Sequence, residues 1–309
     1  MPTASLSTIA PFGYDIDIHR FLEAFKACGC SSAQFTRNPE NPPSIADALD
    51  AARGAGLRFD SIHGLFGPHL DPSSPDAAHR DHCLDLYKNE ARLALELGGT
   101  MVVVHPSRSR LQHADPPPAP LPAEDAQRLQ HQRWPHLHDF MKRLADTGHE
   151  LGVTFLIENL MHDCPLGHDP VQLAEQIMEI NSPRIRMCFD TGHAHATLSR
   201  HTAAKRRAVA VALRICAPAV SYLHIHDNDG VQDQHLMPGR GGDAPSSATP
   251  AVGEGIDWPA VAEALRFTEL PATRMLEVFE DPELSGPAVR FAPSLKRWLA
   301  IGEPMQRHP

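Results

Sequence analysis

Eight short apolar runs, each separated from the next by a longer amphipathic or irregular stretch, constrain this chain more than any other feature. They are "SLSTIA" (5–10), "SAQFT" (32–36), "LRFDSIH" (57–63), "TMVVVH" (100–105), "VTFLIE" (153–158), "RIRMCFD" (184–190), "VSYLHIH" (220–226) and "TRMLEVF" (273–279). Apolar runs of this length between turn signals read as strands. The stretches between them read as helices. "DAAHRDHCLDLYKNEARLALELGG" places Leu84, Tyr87, Ala91, Ala94 and Leu95 on one face and ends in glycines. "DPVQLAEQIMEINSP" opens with Asp169 as N-cap and Pro170 at the first helical position. Strand–helix alternation predicts a parallel sheet, and eight strands predict a single α/β domain, a (β/α)8 barrel over residues 1–309. An open, doubly wound sheet is the alternative. Two stretches interrupt the rhythm, near 106–125 and 239–255, and both follow a strand. They read as loop insertions on the face where barrel strands end, as lids, substrate-shaping loops or plain insertions.

Composition narrows the class. The 309 residues are 42% hydrophobic, enough for a sizeable core, without an apolar run long enough to span a membrane. The start, "MPTASLSTIAPFGY", lacks the basic and apolar regions of a signal peptide. The six cysteines show no zinc-finger spacing, and "CGC" at Cys28 and Cys30 is too tight for a C-x-x-C pair. Reduced thiols in a cytoplasmic protein are the expectation. A net charge of -10 disfavours affinity built on phosphate contacts, and aromatic residues make up only 6%. The densest basic patch, "KRR" at 205–207, falls on the stretch after the sixth strand, away from the mouth of a barrel. Nucleic acid is therefore not the expected partner; a small molecule is, with a homo-oligomer left open. "GRGG" at 239–242 is not followed by a helical pattern, so no dinucleotide cofactor is expected. Cys188 and Ser221 lie within strands rather than on exposed turns, which argues against nucleophilic catalysis.

Six strands carry a histidine or carboxylate at or near the C-terminal end: His63, His105, Glu158, Asp190, His226 and Glu277. In a barrel these ends converge on one face. Carboxylates and imidazoles gathered in an apolar cup are what a divalent metal ion requires, and a buried carboxylate needs such a partner. His193, three residues after Asp190, lies within reach of the same cup. In "YLHIHDND", His224 and His226 share a strand face; the later one is nearer the mouth, which leaves His224 a layer deeper or behind the ligands, supporting them. Asp233 and His235 form D-x-H on the following loop, a weak motif alone but able to hold a further ion with His193.

These stretches resemble the xylose isomerase-like TIM barrels, a superfamily of sugar isomerases and epimerases, inosose dehydratases and the endonuclease IV type of apurinic endonuclease. The resemblance rests on "IENL" (157–160), "CFDTGHAH" (188–195), "LHIHDND" (223–229), "DQHLMPGRG" (233–241), "GEGIDW" (253–258) and "LEVF" (276–279). It implies one divalent ion, manganese or zinc, on Glu158, Asp190, His226 and Glu277 if the chain is of the epimerase type. The endonuclease-type cluster of three zinc ions implies nine ligands: His63, His105, Glu158, Asp190, His193, His226, Asp233, His235 and Glu277. One departure stands out: "GDAPSSATPAV" separates "PGRG" from "GEGIDW", which the sugar-type pattern joins directly.

Two activities are therefore expected. The first is isomerisation or epimerisation of a keto sugar or related polyol. The metal acts as Lewis acid, an enediolate forms, and Glu158 and Glu277 move the proton; a dehydratase variant shares the enediolate. The second is hydrolysis of a phosphodiester or ester-like bond by several ions, acting on a small substrate. A barrel that only binds sugar or metal is a third reading.

Overall fold

The computed structural model describes residues 5–108, 123–162, 164–198, 208–241 and 255–279. Strands β1 (Leu6–Phe12), β2 (Ser32–Arg37), β3 (Phe59–His63), β4 (Met101–Val104), β5 (Thr154–Glu158), β6 (Ile185–Asp190), β7 (Val220–Ile225) and β8 (Thr273–Leu276) pair in chain order, all parallel. β1 pairs with both β2 and β8, so the sheet closes and the open doubly wound alternative is excluded. Every strand overlaps the run read from the sequence.

The helices are α1 (Ile18–Ala27), α2 (Ile45–Gly54), α3 (Ala77–Glu96), α4 (Ala123–Leu151), α5 (Pro170–Ile180), α6 (Thr191–Leu198), α7 (Ala208–Cys216) and α8 (Trp258–Thr268). Asp17, Ser44, Asp76, Asp169 and Asp257 cap five of them by accepting a first-turn N–H. In α3 the apolar face differs slightly from expectation. Leu84, Tyr87, Ala91 and Ala94 are buried, but Leu95 is 40% exposed. Glu90 is buried instead, because Arg37 from β2 forms a two-point pair with its carboxylate.

The β2–β3 register shifts between Ala33 and Gln34, which face Phe59 and Ser61. Asp60 is left between them without a partner in the register. Its carboxylate joins Ser32 Oγ (2.5 Å), Ser61 Oγ (2.7 Å) and the Tyr222 hydroxyl (3.1 Å). Burial pushes its pKa up in spite of these hydrogen bonds. A bulge here thus buries a polar cluster that is satisfied largely within itself.

Among the described residues, no helix is long and apolar enough to cross a membrane. All six cysteines are buried and none is in a disulfide. The basic "KRR" at 205–207 and most of both interrupting loops lie outside the described residues.

Candidate metal centre

The C-terminal strand ends converge on Glu158, the last residue of β5. Its Oε2 lies 3.1 Å from His105 Nε2 and 3.5 Å from His63 Nε2. Its Oε1 lies 2.9 Å from His224 Nδ1 and 3.6 Å from His193 Nδ1. Glu277, just past β8, brings Oε2 to 2.9 Å from the same His224 nitrogen. Asp190, the last residue of β6, stands 3.7 Å from His224 Nδ1 and 3.1 Å from His226 Nε2. Asp233 continues the chain of contacts to His193 Nε2 (3.2 Å) and His235 Nδ1 (3.4 Å). All nine residues named from the sequence therefore meet in one cluster, seven of them buried and Asp233 and His235 half-buried.

One assignment within that set changes. His226 was expected beside the two glutamates, with His224 a layer deeper. It is His224 that faces both carboxylates, while His226 is placed against Asp190 and, more distantly, Asp233. The alternation argument was sound, since both rings share the inner face of β7. Barrel strands are tilted and staggered, however, so the height of a side chain cannot be read from its place along one strand. The long glutamates from β5 and β8 reach the level of His224.

The donors fit divalent ions. Four groups have ligand atoms within 4.8 Å of one another: His63/His105/Glu158, Glu158/Asp190/His224/Glu277, Asp190/His193/His226 and His226/Asp233/His235. Ligands of a tetrahedral ion at 2.0–2.2 Å stand roughly 3.4 Å apart, close to the nitrogen–oxygen separations here. The buried oxygens Glu158 Oε2, Glu277 Oε2 and Asp233 Oδ1 have no well-formed hydrogen bond. Buried carboxylate oxygens left this way are expected where a cation belongs. Imidazole and carboxylate donors suit zinc and manganese alike.

Neighbouring groups orient the ligands. His63 Nδ1 is 2.9 Å from Gly64 O, and His193 Nδ1 is 2.9 Å from Asn159 O. Each contact holds that nitrogen as a donor and turns Nε2 toward the carboxylates. Asn159 also clasps the backbone N–H and carbonyl of Asp190. Thr191 Oγ1 donates to His226 O and accepts from His226 N, tying α6 to the end of β7. Gly192 in "DTGH" has a steric reason: a Cβ there would lie 2.0 Å from His226 Cε1.

Asp227 was not singled out in the sequence, yet it organises the D-x-H arm. Its carboxylate accepts N–H groups from Asn228 (2.9 Å), Gly239 (2.8 Å) and Ile256 (3.1 Å), and the Trp258 indole N–H (2.8 Å). Its backbone pairs both ways with Leu236. This pairing holds His235 in the left-handed region at φ 48°, where its ring stacks on His226 at 4.3 Å. The signal that points to Asp227 is the combination of "DND", "PGRG" and "GIDW", three segments that bring four donors to one acid.

The buried acids and imidazoles set one another's ionisation. Burial alone would raise Glu158, but His224, His105 and His63 outweigh it and hold its carboxyl well below the usual range. Burial likewise opposes charge on Glu277, and His224 again prevails, so that carboxyl too is held low. Burial would lower His226; Asp190 and Asp233 overcome it and raise that imidazole to about 9. His105 shows the opposite balance, with burial lowering it despite Glu158.

A cleft opens onto Glu158, Glu277, Asp233 and the rings of His63, His105, His193 and His235. Phe66, Leu160, Met161 and Cys164 add apolar lining, with Phe66 stacked on His105 at 4.6 Å.

A family described as "Xylose isomerase-like TIM barrel" matches residues 22–299. An uncharacterised protein of Methanocaldococcus jannaschii is 25% identical over 181 residues, 58% of this chain and 55% of its own length. The chain thus spans about half of that relative. Among solved structures, D-psicose 3-epimerase from Clostridium cellulolyticum H10, solved with D-tagatose, is similar at a TM-score of 0.66. Its identity is 13%, covering 96% of this chain and 99% of that one. D-allulose 3-epimerase from Methylomonas sp. is similar at a TM-score of 0.67 and 14% identity, covering 98% and 99%. A further structure of the latter holds D-allulose (TM-score 0.64, identity 15%, covering 96% and 94%). At such identities these likenesses speak to the barrel alone.

Proposed function

The chain belongs to the xylose isomerase-like TIM barrel family, and on that footing we propose that it is a divalent-metal-dependent isomerase or epimerase of a keto sugar or related polyol. The observation that carries this reading is the pair Glu158 and Glu277. They approach His224 from β5 and from just past β8, each at 2.9 Å, and both line the cleft. Both carboxylates line the one cleft, so a substrate bound there would have two candidate groups beside it, one to remove a proton and one to return it. The barrel is one that ketose epimerases also use, so the fold accommodates this chemistry.

Glu158, Asp190, His224 and Glu277 would hold the ion, which when bound acts as a Lewis acid at the carbonyl and makes the adjacent C–H more acidic. Glu158 and Glu277, held below the usual range, are ionised and able to accept a proton. His224 Nδ1 lies 2.9 Å from both carboxylates, so all three would face the same ion. The apolar lining residues Phe66, Leu160, Met161 and Cys164 would limit water beside the reacting carbons once a substrate covers them. The reduced cysteines are in keeping with a cytoplasmic enzyme.

The test is exchange of the substrate's C–H proton with solvent deuterium across a panel of ketoses and inososes. Glu158→Gln is expected to abolish exchange, by at least a thousand-fold, while the ketose still binds. Retained exchange in this variant removes Glu158 from the proton transfer.

A second reading is hydrolysis by a multinuclear cluster on a small ester-like substrate. It is favoured by the contiguity of the ligand groups, since Glu158 belongs to two of them and Asp233 with His235 forms another beside His226. Metal content separates the readings: three tightly held zinc ions per chain favour hydrolysis, and one exchangeable ion favours isomerisation.

A further inference from the structure

α4 is longer than the barrel requires. Its 29 residues span roughly 43 Å at the helical rise, while β4 and β5, which it joins, run for four and five residues, roughly 13–17 Å. The core positions Leu137, Phe140, Met141 and Leu144 all lie in its second half. None of residues 128–134 is buried. The first half thus runs past the strand ends, on the side where the candidate ligands lie. Pro135 stands at the join. Its ring nitrogen has no hydrogen for the carbonyl four residues back, and the ring crowds that carbonyl, so the helix resists bending least at this turn.

Two side chains tie the first half to loops of the barrel. Arg133 Nη1 donates to Asp71 Oδ2 at 2.6 Å and to Ser73 Oγ at 3.1 Å, on the loop after β3. Both acceptors are buried. Gln130 Nε2 donates to His168 Nε2 at 2.8 Å, and His168 Nδ1 donates to the Cys164 carbonyl at 3.2 Å, on the loop after β5. These two loops supply every cleft-lining residue that is not a candidate ligand: Phe66 comes from the first, and Leu160, Met161 and Cys164 from the second. Arg133 and Gln130 do not themselves line the cleft.

We propose that the first half of α4 is a strap that positions both cleft loops through Arg133 and Gln130, and that bending at Pro135 loosens the two loops together and opens the cleft. A charge-assisted bond holds one loop and an amide–imidazole bond the other, and both start from the same two turns of one helix, so the loops are coupled through it. Arg133 and Gln130 are positioning residues in this arrangement, since each reaches the cleft only through its loop. The proposal is independent of which reaction the cleft supports.

The test reads the cleft without a substrate. Cys164 lines the cleft and is 6% exposed, whereas Cys30 and Cys216 sit in the core at 1% and 0%. The full-length protein is treated with iodoacetamide under native conditions, and labelling of each cysteine is followed by peptide mass spectrometry. Arg133→Met and Gln130→Ala are each expected to speed labelling of Cys164 about ten-fold while Cys30 and Cys216 keep the parent's rate, because a local opening exposes only what the strap holds. Arg133→Lys, which keeps a cation beside Asp71, is expected to restore most of the protection. Pro135→Ala returns the missing backbone N–H and is expected to slow Cys164 labelling below the parent's rate. Gln130→Ala leaves no buried charge unpaired, so the test stands even if Arg133→Met does not fold. Unchanged labelling of Cys164 in Gln130→Ala and in a folded Arg133→Met overturns the proposal. So does a rise at all three cysteines together, which assigns the two side chains to global stability. A Pro135→Ala protein that labels like the parent overturns the hinge.

Discussion

His224 and His226 differ by two positions and lie on one strand face, yet they face different carboxylates. Substitution should separate them. His224→Ala removes the nitrogen that both glutamates face, leaving two buried carboxylates close together, and is expected to abolish binding of the ion shared by Glu158 and Glu277. His226→Ala is expected to lower total metal content while sparing that ion; metal analysis of the two purified variants checks the difference. Asp227 offers a sharper case. Its carboxylate serves four N–H donors, so Asp227→Asn turns an amide NH2 toward donors it cannot satisfy. A loss of about 2–4 kcal/mol in unfolding free energy is expected, read by urea denaturation. Gly192→Ala must displace the His226 ring, which an added Cβ would meet at 2.0 Å, and is expected to reduce metal occupancy even if the protein folds.

At the scale of elements, the chain departs from the compact sugar-type pattern between "PGRG" and "GEGIDW". The structure shows that this segment leaves and re-enters at one point. A Cβ on Gly241 would lie 2.8 Å from the Cα of Gly255, and both glycines abut the Asp227 carboxylate. Consecutive Cα atoms across a trans peptide are 3.8 Å apart, so the two stems are close enough to be joined directly. Deleting 242–254 is therefore expected to change unfolding free energy by less than about 1 kcal/mol and to leave metal content unchanged, since loop-closure entropy depends weakly on length. Loss of folding on deletion would show that these residues contribute packing that the stems alone do not reveal. The same element hides the role of Asp227 from the sequence: its four donors come from three chain segments, and only the folded loop assembles them around one acid.

For the whole molecule, a cup of buried carboxylates and imidazoles without a cation is a charge problem that a metal relieves. Treatment with a chelator is expected to lower the melting temperature by several degrees, and readdition of zinc or manganese to restore it, because an ion that binds only the folded state stabilises it by mass action. An unchanged melting temperature on chelation would count against resident metal. The closed barrel, all eight strands and the nine residues of the cluster were legible in the sequence, because apolar runs of strand length, alternation with helices and polar residues at run ends are local properties of the chain. What the sequence could not decide was which residue meets which. Strand stagger put His224, not His226, between the glutamates. A register shift turned Asp60 inward, and one aspartate gathered a loop on which Asp233 and His235 depend. Those outcomes depend on relative heights and directions around a closed ring, and only closing the ring sets them.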